Sequence, residues 1–495
     1  MCQDANFGSF VTLIIDLLLK KENRHVDVAI IGAGFCGILT AIHLLRAKEL
    51  QIHIHIINEG RVFGRGVAYN PHTPGLLLNV PNKGMSAFPD DPDHFVSWLV
   101  NKFPSNHTDK EKLAFEFSPR KHYGEYLDEL WNEAIVNAGG DKVSIHHKRA
   151  TDVVIAGNRA QVILDDATAI SADVVILATG NEHPDFIAGL DASLKDSPLY
   201  FADPWKKDCV EKLVSDDDVL IIGNGLTTVD TIIGLRENGF KGIIHTVSPH
   251  GYRLKPWQES KAPYNTPQTV NGCDTQLLQL LQNFNKHRKI AARLDQSIYP
   301  MVDSIRPNIQ SLWVSFNKRE QHQFLQNLSS FWDRIRHRLP TQLHYMMEDM
   351  RAGDKLFTHS GRVVSAVEFN GKIDVTLNCA GKFKYLKVQR IINCSGPQTN
   401  IAHSGNELLK NMAKSGRIAA GPLNLGIKTH PEDHSVISAD GKRIPNLFVI
   451  GSNLKGTLWE STAVPELRLQ AHKLACHIIG QNQGNDKITP IMAKL

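Results

Sequence analysis

The stretch VAIIGAGFCG at residues 28–37 decides the fold of this chain. An apolar run followed by glycines in the spacing G-x-G-x-x-G is typical of a buried parallel strand that leads into a dinucleotide-binding helix. A second stretch, VLIIGNGLTT at residues 219–228, repeats the strand and the first two glycines. Two such stretches predict two dinucleotides held face to face, an arrangement that suits hydride transfer from a nicotinamide to a flavin.

The first stretch has a glycine at each position where a dinucleotide site needs one. Gly32 permits the tight turn after the strand, and Gly34 lets the backbone approach a pyrophosphate. Gly37 permits close packing of the helix that follows. We therefore predict that these glycines hold a dinucleotide.

The residues after the first glycines complete the predicted site. A helix from about Phe35 to Lys48 would turn its first amides, near Phe35 and Cys36, toward the phosphates. The next predicted strand leads to Glu59, whose carboxylate is placed to accept hydrogen bonds from ribose hydroxyls. A thiol at a helix start can have a lowered pKa, but for Cys36 we favour a small packing residue over a redox thiol.

The second stretch is a weaker match. Gly223 and Gly225 repeat the first two glycines, but Thr228 stands at the third position, so the helix cannot pack as closely. We predict that Leu226 and Thr227, at the start of that helix, also contact the second dinucleotide.

The strand after the second stretch ends without a carboxylate. Residues 243–247 lead into Ser248-Pro249-His250, and basic residues follow at Arg253 and Lys255. An acid at this point favours NAD, whereas basic side chains can meet a 2′-phosphate. The sequence favours NADPH over NADH, and both remain open.

Each Gly-rich unit is followed by β-rich sequence and a closing strand. The first closes with DVVILATG at residues 173–180, which includes Thr179 and Gly180, and the second with RIINCSG at residues 390–396. We predict an α/β protein with two Rossmann-like, three-layer domains. The expected division is an N-terminal extension at 1–24, a discontinuous FAD-binding domain at 25–200 and 397–495, and an NAD(P)-binding domain at 201–396.

A helical insertion is expected within the second domain, at about residues 275–351, where polar residues follow helical periodicity. Its basic segment, WDRIRHR at residues 332–338, could hold an anionic substrate, but we favour a solvated helix face. The chain then returns to an apolar strand that ends at Gly451. Trp459 and Glu460 follow, and this tail is expected to lie near a flavin or to be an ordinary closing strand and helix.

Composition narrows the function classes only slightly. A formal net charge of +4 gives no electrostatic argument for a nucleic-acid partner. The seven cysteines lie apart without CxxC or Cys/His ligand spacing, which predicts reduced thiols and no metal site. The apolar stretch at residues 11–19 is too short to span a bilayer and makes a poor signal peptide. We expect an N-terminal helix there, no membrane insertion and a cytoplasmic protein.

Several further stretches support a family resemblance. They are GRGVAY at 64–69, LNVP at 78–81, MSAFPDDP at 85–92, PR at 119–120 with YGEY at 123–126, GLT at 225–227 with Asp230, RHR at 336–338, and WE at 459–460 with PELR at 465–468. On these residues the chain resembles the FAD/NAD(P)-binding protein family of the YdhS type. That family is distantly related to the N-hydroxylating, class B flavin monooxygenases.

The resemblance implies FAD on the first site, a pyridine nucleotide on the second and a small-molecule substrate. The expected function is NAD(P)H-dependent oxidoreduction of a monooxygenase-like kind. The diagnostic Phe-x-Gly and His motif of the monooxygenases is replaced by YFADPW at residues 200–205. A plain reductase or oxidase, and a non-catalytic redox-sensing flavoprotein, therefore stay as alternatives.

The candidate residues near the flavin come from the shared stretches and the tail. Arg65 could orient the flavin or bind a substrate carboxylate in a bidentate manner. The other catalytic candidates are Asn79, Ser86 and Glu460, while Met85 and Trp459 are expected to contact the cofactor. Asn79 and Ser86 could instead stabilise a loop, and Met85 could be ordinary core.

Overall fold

The structure, a computed structural model, describes residues 25–47, 50–71, 73–104, 109–214, 216–258 and 276–483. Its first sheet has six strands in the order β18-β19-β7-β1-β2-β3. All neighbours pair in parallel except β18 and β19. The strands are β1 (Val26–Ile31), β2 (Ile52–Ile57), β3 (Val143–His146), β7 (Val174–Leu177), β18 (Ser435–Ile437) and β19 (Arg443–Val449).

Two different layers cover this sheet because its strands are apolar on both faces. Helices pack on one face around residues such as Ile30 and Ile54. A three-stranded antiparallel sheet and a helix pack on the other face, around Val175 and Leu177. The covering elements are helices α1 (Phe35–Leu45), α2 (His94–Lys102), α3 (Lys110–Phe115), α4 (Arg120–Ala138), α12 (Glu407–Lys414) and α14 (Val464–Gln483), and strands β4 (Ala150–Ala156), β5 (Arg159–Leu164) and β6 (Ala169–Ala172).

The second sheet has five parallel strands in the order β13-β10-β9-β17-β8. In both sheets the strand that precedes the Gly-rich loop has the following strand on one side and the closing strand on the other. The loop therefore lies where the strand order reverses, which is where open α/β sheets bind ligands. The strands are β8 (Tyr200–Phe201), β9 (Val219–Ile222), β10 (Ile244–Ser248), β13 (Leu356–Ser360) and β17 (Arg390–Asn393).

The second sheet is covered in the same way as the first. Helices lie on one face, with Ile232 and Met347 in their core. An antiparallel sheet lies on the other, with Ile373 and Val375 packed against Leu220. The elements are helices α5 (Leu226–Glu237) and α11 (Thr341–Ala352), and strands β14 (Arg362–Phe369), β15 (Lys372–Cys379) and β16 (Lys382–Val388).

A group of helices with its own apolar core lies between β10 and β13, the third and fourth strands of the second sheet in chain order. The short parallel pair β11 (Lys255–Pro256) and β12 (Arg338–Leu339) brackets these helices. Helix α11 comes after β12 and packs on the second sheet through Leu343 and Met347. The inserted helices are α6 (Leu277–Arg293), α7 (Tyr299–Ile305), α8 (Ile309–Ser315), α9 (Lys318–Asn327) and α10 (Ser329–Arg336).

The fold predicted from the sequence is confirmed. Two three-layer, Rossmann-like units are present, and the first draws strands from both ends of the chain. Asn370 and Gly371 form the turn that joins β14 to β15 in an antiparallel hairpin. Helix α1 ends at Leu45, earlier than the predicted Lys48. The expected domain limits stay predictions, and the N-terminal extension at 1–24 lies outside the described residues.

The sequence predicts no membrane insertion. Within the described ranges, each helix is either too short or too polar to cross a bilayer.

Candidate functional site

The first Gly-rich loop connects β1 to α1, and two of its glycines are fixed by packing. Gly32 has a φ of +108°, which glycine adopts without a steric penalty. A Cβ at Gly32 would collide with the carbonyl oxygen of Ala178 at the end of β7. A Cβ at Gly37 would collide with the carbonyl oxygen of Gly32. These glycines let strand, loop and helix approach each other.

Gly34 has a different environment. A Cβ there would meet only the Cα of Gly66, 3.9 Å away. Helix α1 begins at Phe35 with Gly34 as its N-cap, and no side chain caps it. The first amides of a helix have no partner within the helix and carry a positive partial charge. The loop thus offers donors and open space to an anion, which fits the pyrophosphate of a dinucleotide.

The predicted ribose acid lies beside this loop. Glu59 is exposed and follows the end of β2. Its neighbour Asn58 accepts a hydrogen bond from the backbone amide of Ala33, at 3.3 Å. The end of β2 is therefore tied to the Gly-rich loop, with the Glu59 carboxylate on the solvent side. Its contact with a ribose stays a prediction.

The tail of the chain meets the same loop. A Cβ at Gly451 would lie 3.1 Å from the sulfur of Cys36. Just beyond it, the side-chain amide of Asn453 donates to the hydroxyl of Thr179, at 2.9 Å. Gly180 has a φ of +72° and a Cβ there would face open space. The structure thus places Gly451 against Cys36 and ties the tail to Thr179, next to Gly180, and the contacts of these residues with a cofactor stay predictions.

The second Gly-rich loop repeats this geometry between β9 and α5. Gly223 has a φ of +125°, and a Cβ there would collide with the carbonyl oxygen of Cys394. A Cβ at Gly225 would meet nothing within 4 Å. Helix α5 begins at Leu226 and no side chain caps it. The loop is open to a second phosphate group in the same way as the first.

Thr228 fills the third-glycine position of the second loop. The Thr228 side chain is buried, with only 1% of its surface exposed. Thr227 is half-buried, and its carbonyl oxygen accepts from the hydroxyl of Thr231, at 2.9 Å. Thr228 therefore serves packing, and Thr227 stands on the same first turn as the open amides.

Basic side chains lie close to the second loop. The side-chain amide of Asn224 donates to the carbonyl oxygen of Tyr252, which fastens the segment after β10 to the loop. The ring of His250 stacks on that of Tyr252, with centroids 5.0 Å apart. The guanidinium of Arg334 lies 4.8 Å from the Tyr252 ring. Arg253 lies 3.8 Å from the Glu348 carboxylate.

Arg65 has a protein partner. Its Nε donates to the Asp128 carboxylate at 3.0 Å, and its Nη2 forms an ion pair with the same group. The pair occupies the Nε–Nη2 edge of the guanidinium, one of the two edges that can bind a carboxylate in a bidentate manner. The structure places Arg65 next to the first loop, through Gly66, but the predicted substrate contact stays untested.

The other candidates on the 78–92 segment fall into two groups. Met85 is buried in the first core, and the Ser86 hydroxyl bonds to the backbone of Phe88 and Asp91, at 2.6 Å to the Asp91 oxygen. These contacts favour the loop-stabilising alternative for Ser86. Asn79 is half-buried, and its proposed contact with the flavin stays a prediction.

Trp459 and Glu460 lie at the junction of the tail and the inserted helices. Trp459 is stacked on Trp313 with ring centroids 5.1 Å apart. The Glu460 carboxylate is buried and accepts from the indole N–H of Trp332, at 2.7 Å. Arg336 lies 3.9 Å from the same carboxylate. Both predicted residues therefore link the tail to the insertion, and their contacts with a cofactor stay predictions.

The sequence favours a solvated helix face for the basic segment at residues 332–338. This prediction is wrong for two residues of the segment. Arg336 and Arg338 are only 8% and 3% exposed. Arg338 lies over the Trp257 ring at 3.6 Å and pairs with Asp303. Carboxylates and an aromatic face stabilise these guanidinium groups inside the protein, which a sequence pattern of alternating charge does not reveal.

A buried ion pair joins the two Rossmann-like units. Arg120, at the start of α4, donates to the Asp230 carboxylate on α5, at 2.9 Å, and to the carbonyl oxygen of Leu77, at 2.9 Å. Burial raises the pKa of Asp230, and the guanidinium of Arg120 opposes that rise. Asp230 lies on the helix that starts at the second Gly-rich loop, so the pair fixes that helix against the first unit.

Comparison with known proteins decides what the first unit is. A family model described as FAD-NAD(P)-binding matches residues 29–182, from β1 through the closing strand β7 to Gly180 and beyond. This segment is an FAD-NAD(P)-binding domain. The match confirms the resemblance inferred from the sequence, and with it FAD and a pyridine nucleotide as the cofactors.

One curated relative matches part of the chain. The FAD-dependent monooxygenase pigN of Monascus ruber is 26% identical over 176 residues. The match covers 33% of this chain and 39% of that protein. The chain thus shares well under half of the length of the relative.

Solved structures match nearly the whole chain. An ornithine N-hydroxylase of Kutzneria sp. 744, described with reduced FAD, NADP+ and L-ornithine, has a TM-score of 0.60 at 13% identity and covers 92% of this chain and 100% of that one. The bacillithiol disulfide reductase Bdr of Staphylococcus aureus has a TM-score of 0.52 at 13% identity, with coverage of 93% and 99%. At this identity the likeness establishes the fold that accompanies the FAD-NAD(P)-binding domain.

Cys36 lies in the Gly-rich loop of the FAD-NAD(P)-binding domain, and burial raises its pKa to about 12. The thiol is therefore protonated at neutral pH, which removes the nucleophilic form. We expect Cys36→Ala to keep the FAD content and the rate of flavin reduction of the wild type, both read from flavin absorbance. A variant that keeps FAD but loses reduction would show a redox role for the thiol.

Arg120 and Asp230 contribute to the family resemblance, but no role for either residue follows from the sequence alone. We expect Arg120→Met to lower the free energy of unfolding by about 3–5 kcal/mol, since it leaves a buried carboxylate unpaired. Urea denaturation measures this. The double variant Arg120→Met with Asp230→Leu removes both charges and should recover most of the loss, and a double variant as unstable as the single one would contradict the pairing.

Proposed function

We propose that this chain is an NADPH-dependent flavoprotein monooxygenase that acts on a small molecule. The observation that carries the proposal is the pair of open Gly-rich loops at Gly34 and Gly225, each at the start of an uncapped helix. The buried Arg120–Asp230 pair holds the second loop's helix against the first unit. Two dinucleotides bound in this way would bring their reactive rings into one cleft.

Bound FAD would supply the redox chemistry, namely acceptance of a hydride from the nicotinamide and transfer of electrons to dioxygen. The chain supplies binding, orientation and exclusion of water. Amides at the starts of α1 and α5 would bind the phosphates. The tail around Gly451 and the inserted helices beside Trp459 would cover the cleft.

NADPH is proposed over NADH because of the charge beside the second loop. His250, Arg253 and Arg334 lie around Tyr252, whose carbonyl oxygen is held by Asn224. A 2′-phosphate would find cations there, whereas NADH presents only a hydroxyl. The solved ornithine N-hydroxylase, which is described with NADP+, agrees with this choice.

A reductase or oxidase that does not insert oxygen is the second candidate. The segment YFADPW at 200–205, where the monooxygenases have their Gly and His, favours it. A reductase that uses a pair of cysteine thiols is disfavoured, because the cysteines in the described residues form no disulfide. Burial also raises the pKa values of the Cys36, Cys209 and Cys394 thiols to about 12, which keeps them protonated.

Rapid mixing tests the proposal. The purified yellow protein is mixed anaerobically with NADPH or NADH, then with oxygen, while flavin absorbance and hydrogen peroxide are followed. Fast reduction by NADPH is expected, with 18O from 18O2 found in a product when a substrate is present. Release of all electrons as peroxide with every compound in a panel of amines and aromatics would favour the oxidase, and no reduction by either nucleotide would favour a non-catalytic flavoprotein.

A further inference from the structure

The inserted helices enclose a cavity of about 90 Å³ whose lining side chains are all apolar. Helices α6 to α10 form most of its wall, and Trp459 of the tail closes it. Phe331, which is 37% exposed, marks the side where the cavity reaches the surface. Leu281, Trp313 and Trp332 contribute further parts of the wall.

The polar atoms that could recognise a ligand in this cavity are already engaged. The indole N–H of Trp313 donates to the carbonyl oxygen of Gly456, at 2.9 Å. That of Trp332 donates to the Glu460 carboxylate, at 2.7 Å. Both bonds point to the tail, so the cavity presents ring faces and methyl groups to an occupant. An apolar lining of this kind favours an apolar occupant over water.

The wall formed by the tail has an unusual backbone. Trp459 has a φ of +46°, and the neighbouring residues Leu423 and Asn424 have φ values of +57° and +60°. Leu423 packs against the cavity cluster. Left-handed conformations of non-glycine residues cost energy, and they persist where the surroundings enforce them, often at ligand sites. Two of them, Trp459 and Leu423, belong to the apolar cluster around this cavity.

The tail segment that forms one wall of the cavity, through Trp459, also reaches the first Gly-rich loop. Gly451 lies against Cys36 in that loop, and the short helix α13 (Lys455–Leu458) leads from there to Trp459. A molecule held against Trp459 would therefore be attached to the same short stretch of chain as the FAD site. An unoccupied core void elsewhere in the insertion would have no such connection.

We propose that this cavity binds the apolar ring of the substrate, which is an aromatic or branched hydrophobic molecule and not a charged amino acid. The proposal rests on the proposed function for the reaction, but binding to the cavity needs no turnover. Aromatic stacking on Trp313 and Trp459, together with burial of the ring, would supply the affinity.

Heavy-atom quenching tests this binding. Iodobenzene is titrated into the FAD-loaded protein while tryptophan fluorescence and, separately, the melting temperature by calorimetry are recorded. We expect saturable quenching and a rise in melting temperature, because a ligand that binds the folded state stabilises it. L-Ornithine should cause neither.

Leu281→Trp is the blocking variant and Leu278→Trp its matched control. Both positions lie on α6, but Leu281 lines the cavity, whereas Leu278 is 65% exposed. Saturable quenching and the thermal shift should be lost in Leu281→Trp and kept in Leu278→Trp, with unchanged FAD content showing that both variants are folded.

Two results would overturn the proposal. One is the absence of saturable quenching in the wild type, and the other is equal binding in the two variants. Either result leaves reduction of FAD by NADPH intact, so failure of the cavity and failure of the proposed function are distinguishable.

Discussion

Gly34→Val yields a folded protein that purifies without FAD; this is the expected result of filling the first loop. The new side chain would meet only the Cα of Gly66 at 3.9 Å, so it disturbs little of the protein itself. It would instead occupy the space in front of the α1 amides, where the pyrophosphate must approach. We expect bound FAD to fall below about a tenth of the wild-type content, since each ~1.4 kcal/mol lost weakens binding tenfold.

The matched control is Gly140→Val. A Cβ at Gly140 would meet nothing within 4 Å, and this glycine precedes β3 and lies away from the loop. Its FAD content, measured from absorbance after gel filtration, should equal that of the wild type. Retained yellow colour in Gly34→Val would refute the assignment of FAD to the first loop.

Gly225→Val should separate the two nucleotides. The protein is expected to keep its FAD but to be reduced far more slowly by NADPH, because the new side chain fills the open space before α5. Loss of close phosphate contact should raise the apparent Kd for NADPH by about a hundredfold, or ~2.7 kcal/mol.

Stopped-flow reduction at several NADPH concentrations measures that Kd. A chemical reductant such as dithionite should still reduce the flavin in Gly225→Val at the wild-type rate, which controls for damage to the FAD site. If the variant binds and oxidises NADPH like the wild type, the nicotinamide does not use this loop.

The Gly-rich loops could be predicted because the backbone conformation and close contacts of the turn depend on residues that are near each other in the sequence. Positive φ values at Gly32 and Gly223, and the close approach of Gly37 to the carbonyl oxygen of Gly32, leave room for no other residue, so spacing alone encodes the turn. The apolar strands β1 and β9 likewise indicate a sheet that is covered on both faces. Fold and cofactor class follow from such short-range signals.

The contacts of the catalytic candidates were not predictable in this way. Arg65 finds Asp128, and Glu460 finds Trp332, across long stretches of chain. Burial of Arg336 likewise depends on Glu460 and Glu466, which come from a different part of the fold. A sequence shows that such residues are charged or aromatic, but only the tertiary packing decides which partner each one meets.

Gly451 packs against Cys36 in the first Gly-rich loop, but it lies near the end of the chain and is therefore synthesised late. This order has a consequence for folding during synthesis. All strands of the second parallel sheet lie between Tyr200 and Asn393, so that unit is complete on the ribosome while the first still lacks β18 and β19. Domains generally fold as units during synthesis. We therefore expect the nicotinamide unit to mature first and FAD to be loaded last, so that ribosome-bound chains stalled before residue 435 would remain colourless.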